Sequence, residues 1–374
     1  MTINFNSLES LLAAQAASFD SSTPTESIVA LLNNMQKASI DKTIHFDADS
    51  DLPIDSDYDG MVVTSNNRLV VFNAYDLLWE AQEYVEALDV FQGTAYGYVS
   101  SGRHPALGWG DDIERFSMVS DGNSVAMTAK LLAPVYYGAG TSSKTHGYNM
   151  GGLPNQQLVI QKFPFAADEN STDVGDLTSN TSYSEDCAAP AQGHGYSCGG
   201  HDPSVPNKTA IEKFSFTSDG NATNIGDISP RTFGGSGQSS TTHGYVSGGS
   251  PPDKNVIEKF PFAADGNATD VGDLTVARGQ GSGQSSSASG YMAGGTSNVI
   301  DKFSFTSDGN ATDVGDLSVA RTHCVGASST TDGYSSNSWP ANTIIDKFSF
   351  TSDGNGTNIG SLTIGTYGSV GHHV

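Results

Sequence analysis

One motif is repeated six times along the chain, and it restricts the fold more than any other feature. The dipeptide Gly-Tyr recurs at intervals of 50, 48, 49, 46 and 43 residues, from Gly97 to Gly333. After each copy comes an Ile-x-(Lys/Arg)-Phe element, the first at Ile113 and the last at Ile345. An Asp-Gly-Asn turn and a Gly-Asp-Leu segment complete most of the units, as at Asp219 and Gly272. Periods near 45 residues are typical of propellers and other repeat arrays.

Each unit contains the material for four strands. The Gly-Tyr strand leads to the Ile-x-Lys-Phe strand, a hairpin turn, the Gly-Asp-Leu strand and a Gly/Ser-rich strand such as residues 278–286. Small residues suit the crowded innermost position of a propeller blade. The first unit lacks that strand, whereas the segment from Thr363 to Val374 resembles it. We therefore predict an all-β fold, a six-bladed propeller that the C-terminal strand closes so that no sheet edge stays exposed.

The residues before the repeats have a different pattern. Apolar residues at steps of three or four predict two short helices between Asn4 and Ala38. Two apolar runs, Gly60 to Thr64 and Arg68 to Phe72, flank a polar turn and predict a hairpin, and a further helix is expected from Tyr75 to Leu88. The predicted organisation is residues 1–44 as a helical docking segment, 45–92 as a small β-hairpin module and 93–374 as the propeller. An isolated hairpin is marginally stable, so this module needs a packing partner.

Charge and cysteine content exclude several classes of function. The chain has 41 acidic and 17 basic residues, a net charge of -24 that repels nucleic acids and anionic membranes. Three cysteines cannot form a disulfide scaffold. The segment from Met1 to Asp20 lacks the pattern of a signal peptide, and no apolar run is long enough to span a membrane. Synthesis in a cytoplasm is the expectation.

The repeats resemble a known family. Gly-Tyr-x-x-Gly-Gly, Ile-Glu-Lys-Phe, Gly-Asp-Leu and the arginine that follows it (Arg231, Arg278 or Arg321) are similar to kelch repeats, although the kelch tryptophan near the fourth strand is absent. The units resemble most closely the Asp-Gly-Asn-Ala-Thr propeller repeats of marine tailed bacteriophages. The segment from Asp49 to Trp79 is similar to a short module of phage tail-fibre and appendage proteins. The resemblance implies a virion protein.

Candidate sites for chemistry are few. Asp55, Asp57 and Asp59 imitate the start of a calcium loop, but Asn66 stands where such a loop has glutamate. His146, His194 and His243 precede Gly-Tyr in only three units, which favours turn residues over a metal site. The cysteines do not have the spacing of metal ligands. We therefore expect no enzyme activity, no cofactor and no metal.

The loops between the second and third strands vary most, and two of them carry tryptophans, Trp109 and Trp339. Aromatic residues on variable loops of a rigid ring are typical of a saccharide or protein contact surface. The leading hypothesis is a structural phage protein, a tail fibre or appendage, whose residues 1–92 dock to other virion proteins and whose propeller attaches to a host-surface receptor. The predicted docking residues are Leu8, Leu11, Leu12, Leu31 and Leu32.

Three alternatives remain at this stage. A capsid decoration or knob protein would have the same sequence features, and so would a cellular kelch-type adaptor that binds another protein. A carbohydrate-active enzyme is the third. Phage appendages are often trimers, so the resemblance also implies a homotrimer as one arrangement.

Overall fold

The computed structural model describes residues 93–154, 158–182, 193–202, 208–230 and 234–373, and the backbone of five further strands. Those strands are His45–Phe46, Val62–Ser65, Arg68–Asn73, Leu78–Gln82 and Glu185–Ala189. Contacts divide the chain into two units, Met1–Glu86 and Ala87–Val374. In the described part every element is a β-strand, and it contains no helix that could span a membrane.

The first unit contains one four-stranded sheet. The predicted hairpin is confirmed: Val62–Ser65 pairs antiparallel with Arg68–Asn73, with Ser65 opposite Arg68. His45–Phe46 adds to one edge in parallel. The helix expected from Tyr75 to Leu88 is wrong, because Leu78–Gln82 is a strand that pairs with Arg68–Asn73. The register places Trp79 opposite Phe72.

The second unit is a six-bladed β-propeller, as predicted. Each blade is a four-stranded antiparallel sheet, and its strands are called first to fourth from the inside outward. In that order the blades are: blade one, Val370–His373, Tyr96–Ser100, Asp112–Ser117, Val125–Lys130; blade two, Ala139–Ser142, His146–Met150, Val159–Pro164, Thr172–Asp176; blade three, Glu185–Ala189, His194–Cys198, Ala210–Ser215, Thr223–Asp227; blade four, Ser236–Ser239, His243–Ser247, Val256–Pro261, Thr269–Asp273; blade five, Gly281–Ser285, Ser289–Gly294, Ser297–Ser304, Thr312–Arg321; blade six, Val325–Ser328, Asp332–Ser336, Asn342–Ser349, Thr357–Thr366. A two-stranded hairpin, Arg103–His104 with Gly108–Trp109, extends from blade one.

The repeated Gly-Tyr dipeptide has a packing reason. The glycine lies opposite the phenylalanine of the third strand, and a Cβ at Gly97 would be 2.3 Å from the ring of Phe116. The tyrosine packs instead on the phenylalanine of the next blade, as Tyr196 does on Phe260 at 5.4 Å between ring centroids. The last interface repeats this contact: Tyr334 of blade six lies 5.3 Å from Phe116 of blade one. One aromatic contact therefore joins every blade to the next.

The first strands converge on the axis, and their glycines lie where neighbouring strands approach most closely. A Cβ at Gly283 would lie 2.0 Å from the Gly237 carbonyl oxygen, and one at Gly326 would lie 2.2 Å from the Gly283 oxygen. The Gly/Ser-rich strands thus occupy the innermost position, as predicted. Their glycines allow neighbouring backbones to approach within a side chain's width.

The ring is closed by the C-terminal strand, as predicted, but over a shorter range. Val370–His373 pairs antiparallel with Tyr96–Ser100 and becomes the first strand of blade one. Residues 363–366, which we had assigned to the closing strand, end the long fourth strand of blade six instead. His372 anchors the closing strand: its Nε2 lies 3.0 Å from Ser100 Oγ and its Nδ1 lies 3.1 Å from the Thr141 carbonyl oxygen.

Candidate functional site

The loops between second and third strands lie on the same face as the connections between blades, because strands within each blade alternate in direction. In blades one, two, three and six a single bridge ties this loop to the connection that enters the same blade: Arg103 to Tyr367, Tyr136 to Leu153, Ser182 to His201 and Thr322 to Trp339. The Asp-Gly-Asn turns lie on the opposite face. In these blades the two strands hold the ends of the variable loop and the bridge holds its middle. The backbone of the loop is therefore fixed on this face of the propeller.

Both predicted binding residues lie on this face. Trp109 ends the short hairpin of blade one and Trp339 lies on the loop of blade six, and each is about half exposed, 50% and 49%. The Trp109 ring is parallel to that of Tyr136, with centroids 6.4 Å apart. The Trp339 ring meets Tyr367 edge-on at 4.8 Å. The two loops thus do more than display isolated tryptophans, since each ring contacts a tyrosine from a connection.

A third tyrosine joins the two pairs. Tyr137 lies 4.8 Å from Tyr136 and 6.1 Å from Tyr367, measured between ring centroids. The result is one continuous row of rings, which we call the aromatic patch: Trp109, Tyr136, Tyr137, Tyr367 and Trp339. Its members come from blades one and six and from the connections that enter blades one and two. Sequence reasoning found only the tryptophans, since the tyrosines lie in connections far away along the chain.

The backbone beneath the patch holds residues in a left-handed conformation. Tyr137 has a φ of 58° and His323 a φ of 54°, which bulky residues seldom adopt. Gly368, at φ 64°, has room for Tyr137 only because it lacks a side chain: a Cβ there would lie 2.5 Å from the tyrosine ring. Strained backbone at an exposed surface is retained where the surroundings fix it, and often marks a functional position.

His323 extends the patch by one further ring. Its Nε2 lies 3.4 Å from the Tyr137 hydroxyl, and the ring centroids are 4.8 Å apart. Burial lowers the pKa of His323 to about 4. The imidazole is consequently neutral at physiological pH and acts as a hydrogen-bonding group without charge.

A cavity of about 210 Å³ opens beside Trp109, between blades one and six. We call it the Glu114 cavity. Trp109, Leu107 and His104 line it together with Glu114 and Thr366. Glu114 is only 7% exposed, and its Oε2 accepts bonds from Ser124 Oγ and from the backbone and hydroxyl of Thr363. A buried carboxylate in an open cavity was not predicted, because Glu114 is the variable residue of the Ile-x-(Lys/Arg)-Phe element.

The other candidates from the sequence lie elsewhere. His146, His194 and His243 each begin the second strand of a different blade, on the face opposite the aromatic patch. Thr145 and Thr242 lie 2.8 Å from the Nδ1 atoms of His146 and His243, and burial lowers the pKa of both histidines. The three histidines are thus the first residues of strands in three different blades, next to the turns that precede them.

Among the described residues, no group of three or more His, Cys, Asp or Glu side chains could hold a metal ion. Burial raises the pKa of the Cys324 thiol to about 11. The calcium-like segment Asp55 to Asp59 lies outside the described residues. So do the predicted docking residues Leu8, Leu11, Leu12, Leu31 and Leu32.

A scan against protein-family models finds no match to the chain, and a search of curated proteins finds no similar sequence.

Proposed function

We propose that this chain is a structural protein of a tailed-phage virion whose propeller attaches to a saccharide on the host surface through the aromatic patch. The observation that carries the proposal is the pair of half-exposed tryptophans, brought from blades one and six to the two ends of one row of rings. Aromatic faces offer sugars a large apolar area at little entropic cost, and nearby hydroxyls fix orientation.

The net charge of the chain favours an uncharged ligand. The net charge of -24 disfavours polyanionic receptors, whereas a neutral sugar ring is not repelled. The patch adds tyrosine hydroxyls and a neutral imidazole, His323, as donors and acceptors around the rings. Hydroxyl groups of a saccharide are complementary to such uncharged polar atoms.

The rest of the proposal concerns the N-terminal residues. Residues 1–92 would dock to other virion proteins, because the sequence of that segment is similar to modules of phage appendages. The propeller, with its own closed core, would project from the particle. A capsid decoration protein with the same two parts would satisfy the same argument.

Receptor binding is tested with purified full-length chain on an array of bacterial surface polysaccharides. Trp109→Ala and Trp339→Ala should each reduce binding at least about tenfold, since stacked aromatic anchors contribute about 2 kcal/mol or more. Val119→Ala is the matched control: this valine is 80% exposed but lies on an Asp-Gly-Asn turn of the opposite face. Equal binding by all three variants would refute the role of the aromatic patch.

Docking is tested separately, in particles assembled from virion proteins. A chain that lacks residues 1–92 should fold and bind the polysaccharide, yet be missing from purified particles on immunoblots. Incorporation of the truncated chain would contradict the proposed division of labour. It would favour attachment through the propeller itself.

A further inference from the structure

The Glu114 cavity departs from a rule that the other blade interfaces follow. The second residue of each Ile-x-(Lys/Arg)-Phe element is buried and polar: Glu114, Gln161, Glu212, Glu258, Asp301 and Asp346. Each accepts a hydrogen bond from a backbone amide at the end of the preceding blade, as Thr275 donates to Asp301 and Thr363 to Glu114. This position therefore joins neighbouring blades all around the ring.

Where this residue is acidic, a buried cation compensates it in blades three, five and six. Arg278 bonds to Asp301 at 2.7 Å, Arg321 pairs with Asp346, and Lys208 pairs with Glu212. The arginines lie four residues after the leucine of the Gly-Asp-Leu segment, and the lysine lies four residues before the acid. Blade two has the uncharged Gln161 and needs no cation. In blade four the lysine position, four residues before Glu258, holds Lys254, and Arg231 lies outside the described residues.

Blade one has the acid without a cation. Thr366 stands at the arginine position and Gly110 at the lysine position, so both possible sources are small, uncharged residues. Both line the cavity. Ser124 and Thr363 donate to Oε2 of Glu114, and no cation in the described part of the chain pairs with this carboxylate. An uncompensated buried carboxylate is unfavourable, so a cation that reached it would bind.

The cavity wall reproduces the surroundings of a guanidinium group. In blade five, Arg278 donates to the carbonyl oxygens of Met292 and Gly294 and of Val276, in addition to Asp301. Met292 lies opposite Asp301 in the sheet, just as Val99 lies opposite Glu114. The same register gives the counterparts of these four residues in blade one: Val99, Ser101, Ile364 and Glu114. All four counterparts line the cavity.

A second observation concerns Ser101, which lies in the same cavity wall and has a hydroxyl without a partner. Ser101 is 6% exposed, and its Oγ has no hydrogen-bond partner. Its φ of 62° holds it in the left-handed region. The Ser101 carbonyl accepts one bond, from Ser369 Oγ, which leaves a second lone pair for a donor. A buried hydroxyl without a partner costs free energy that a bound polar group would recover.

We propose that the Glu114 cavity binds the guanidinium group of an arginine side chain that a partner protein inserts. The guanidinium would lie where Arg278 and Arg321 place theirs at the neighbouring interfaces, donating to Glu114 Oε1 and to the carbonyl oxygens of Val99 and Ser101. The aliphatic stem would leave between Trp109 and Leu107, which is 73% exposed. Asp111 and Asp112 also line the cavity, and Lys130 pairs with both. The three groups together keep one net negative charge, which disfavours the carboxylate of free arginine. This proposal does not depend on saccharide attachment.

The test measures binding of N-acetyl-L-arginine amide to the full-length chain by calorimetry and thermal shift. The expected result is saturable binding with a rise in Tm, and none for the citrulline analogue, which has the same shape without the charge. Glu114→Gln should weaken binding at least about tenfold, as expected for loss of a charged hydrogen-bond partner. Equal binding of the two analogues would overturn the proposal.

Two variants place a cationic side chain of the protein itself in the cavity. Thr366→Arg and Gly110→Lys supply the cation at the two positions that other blades use, so each should raise Tm and abolish arginine binding. A Cβ added at Gly110 would lie 3.3 Å from its nearest neighbour, the Gly102 carbonyl oxygen, and the backbone of Gly110 is not in the left-handed region. If both variants bind arginine as the wild type does, the ligand occupies another site. Tighter binding of free L-arginine than of the blocked form would overturn the assignment to a protein side chain.

Discussion

His372 makes closure of the propeller sensitive to pH. It is 1% exposed in the closing strand, and burial lowers the pKa of its imidazole from 6.5 to about 3. The unfolded chain therefore binds a proton at this residue below pH 6.5, while the folded ring does not until about pH 3. Since the unfolded state binds more protons in that window, stability is complete above pH 6.5 and falls as the pH is lowered.

The size of this effect follows from the two pKa values. Each pH unit below 6.5 costs up to about 1.4 kcal/mol, so acidification from pH 7.5 to pH 5 should cost about 2 kcal/mol through His372 alone. His372→Gln removes the titration and keeps an amide that can bond to Ser100 and Thr141. All other ionisable residues are the same in the two proteins, so the comparison reports the effect of replacing His372.

The assay is denaturant unfolding at pH 7.5 and pH 5, with the free energy of unfolding compared between wild type and His372→Gln. The wild type should lose about 2 kcal/mol more than the variant over this interval. The variant's own stability at pH 7.5 does not enter the comparison. The same loss in both proteins would refute the claim that a buried neutral imidazole holds the closing strand.

Three further perturbations test the packing of the ring. Gly147→Ala should cost about 1–3 kcal/mol by urea unfolding, because the new Cβ would lie 2.5 Å from a phenylalanine ring, whereas Gly266→Ala, with nothing within 4 Å, should be close to neutral. Arg321→Met leaves a buried aspartate without its cation and should cost about 3–5 kcal/mol, and the exposed ion pair lost in Lys302→Met should cost less than about 1 kcal/mol. Deletion of Val370–His373 removes the first strand of blade one, so calorimetry should show a lower Tm; an unchanged Tm would refute closure by this strand.

The blade count and strand order could be predicted because each repeated residue has the same packing role in every copy. Gly97 must leave room for a phenylalanine ring, and Gly283 must let two backbones approach, so the sequence pattern directly reflects packing. The strand Leu78–Gln82 was misassigned because it belongs to no repeat. Its apolar residues also fit helical spacing, and only the pairing of Trp79 with Phe72 decides for a strand.

The functional surfaces were predictable only in part. Trp109 and Trp339 were found because they interrupt the repeat on loops. The tyrosines occupy connections that differ in sequence from blade to blade, and the contact of Tyr137 with Tyr367 joins the connection into blade two to the connection into blade one, so it depends on ring closure. Glu114 has the same residue type as its counterpart in blade three and could not be distinguished in the sequence. Its difference lies in the missing cation, which is recognised only when Thr366 and Gly110 are brought beside it.

Both candidate surfaces lie at the junction where the two ends of the propeller meet, and there is a structural reason for this. Every other interface joins consecutive repeats, whereas this one joins the first repeat to the last across the closing strand. The loop of blade one can therefore carry an extra hairpin with Trp109, and the end of blade six can exchange arginine for Thr366, without disturbing a neighbouring copy. Within this junction His372 bonds to Ser100 and Thr141, and Tyr334 packs on Phe116. Neither contact includes Trp109 or Trp339, so substitution of either tryptophan leaves both contacts in place.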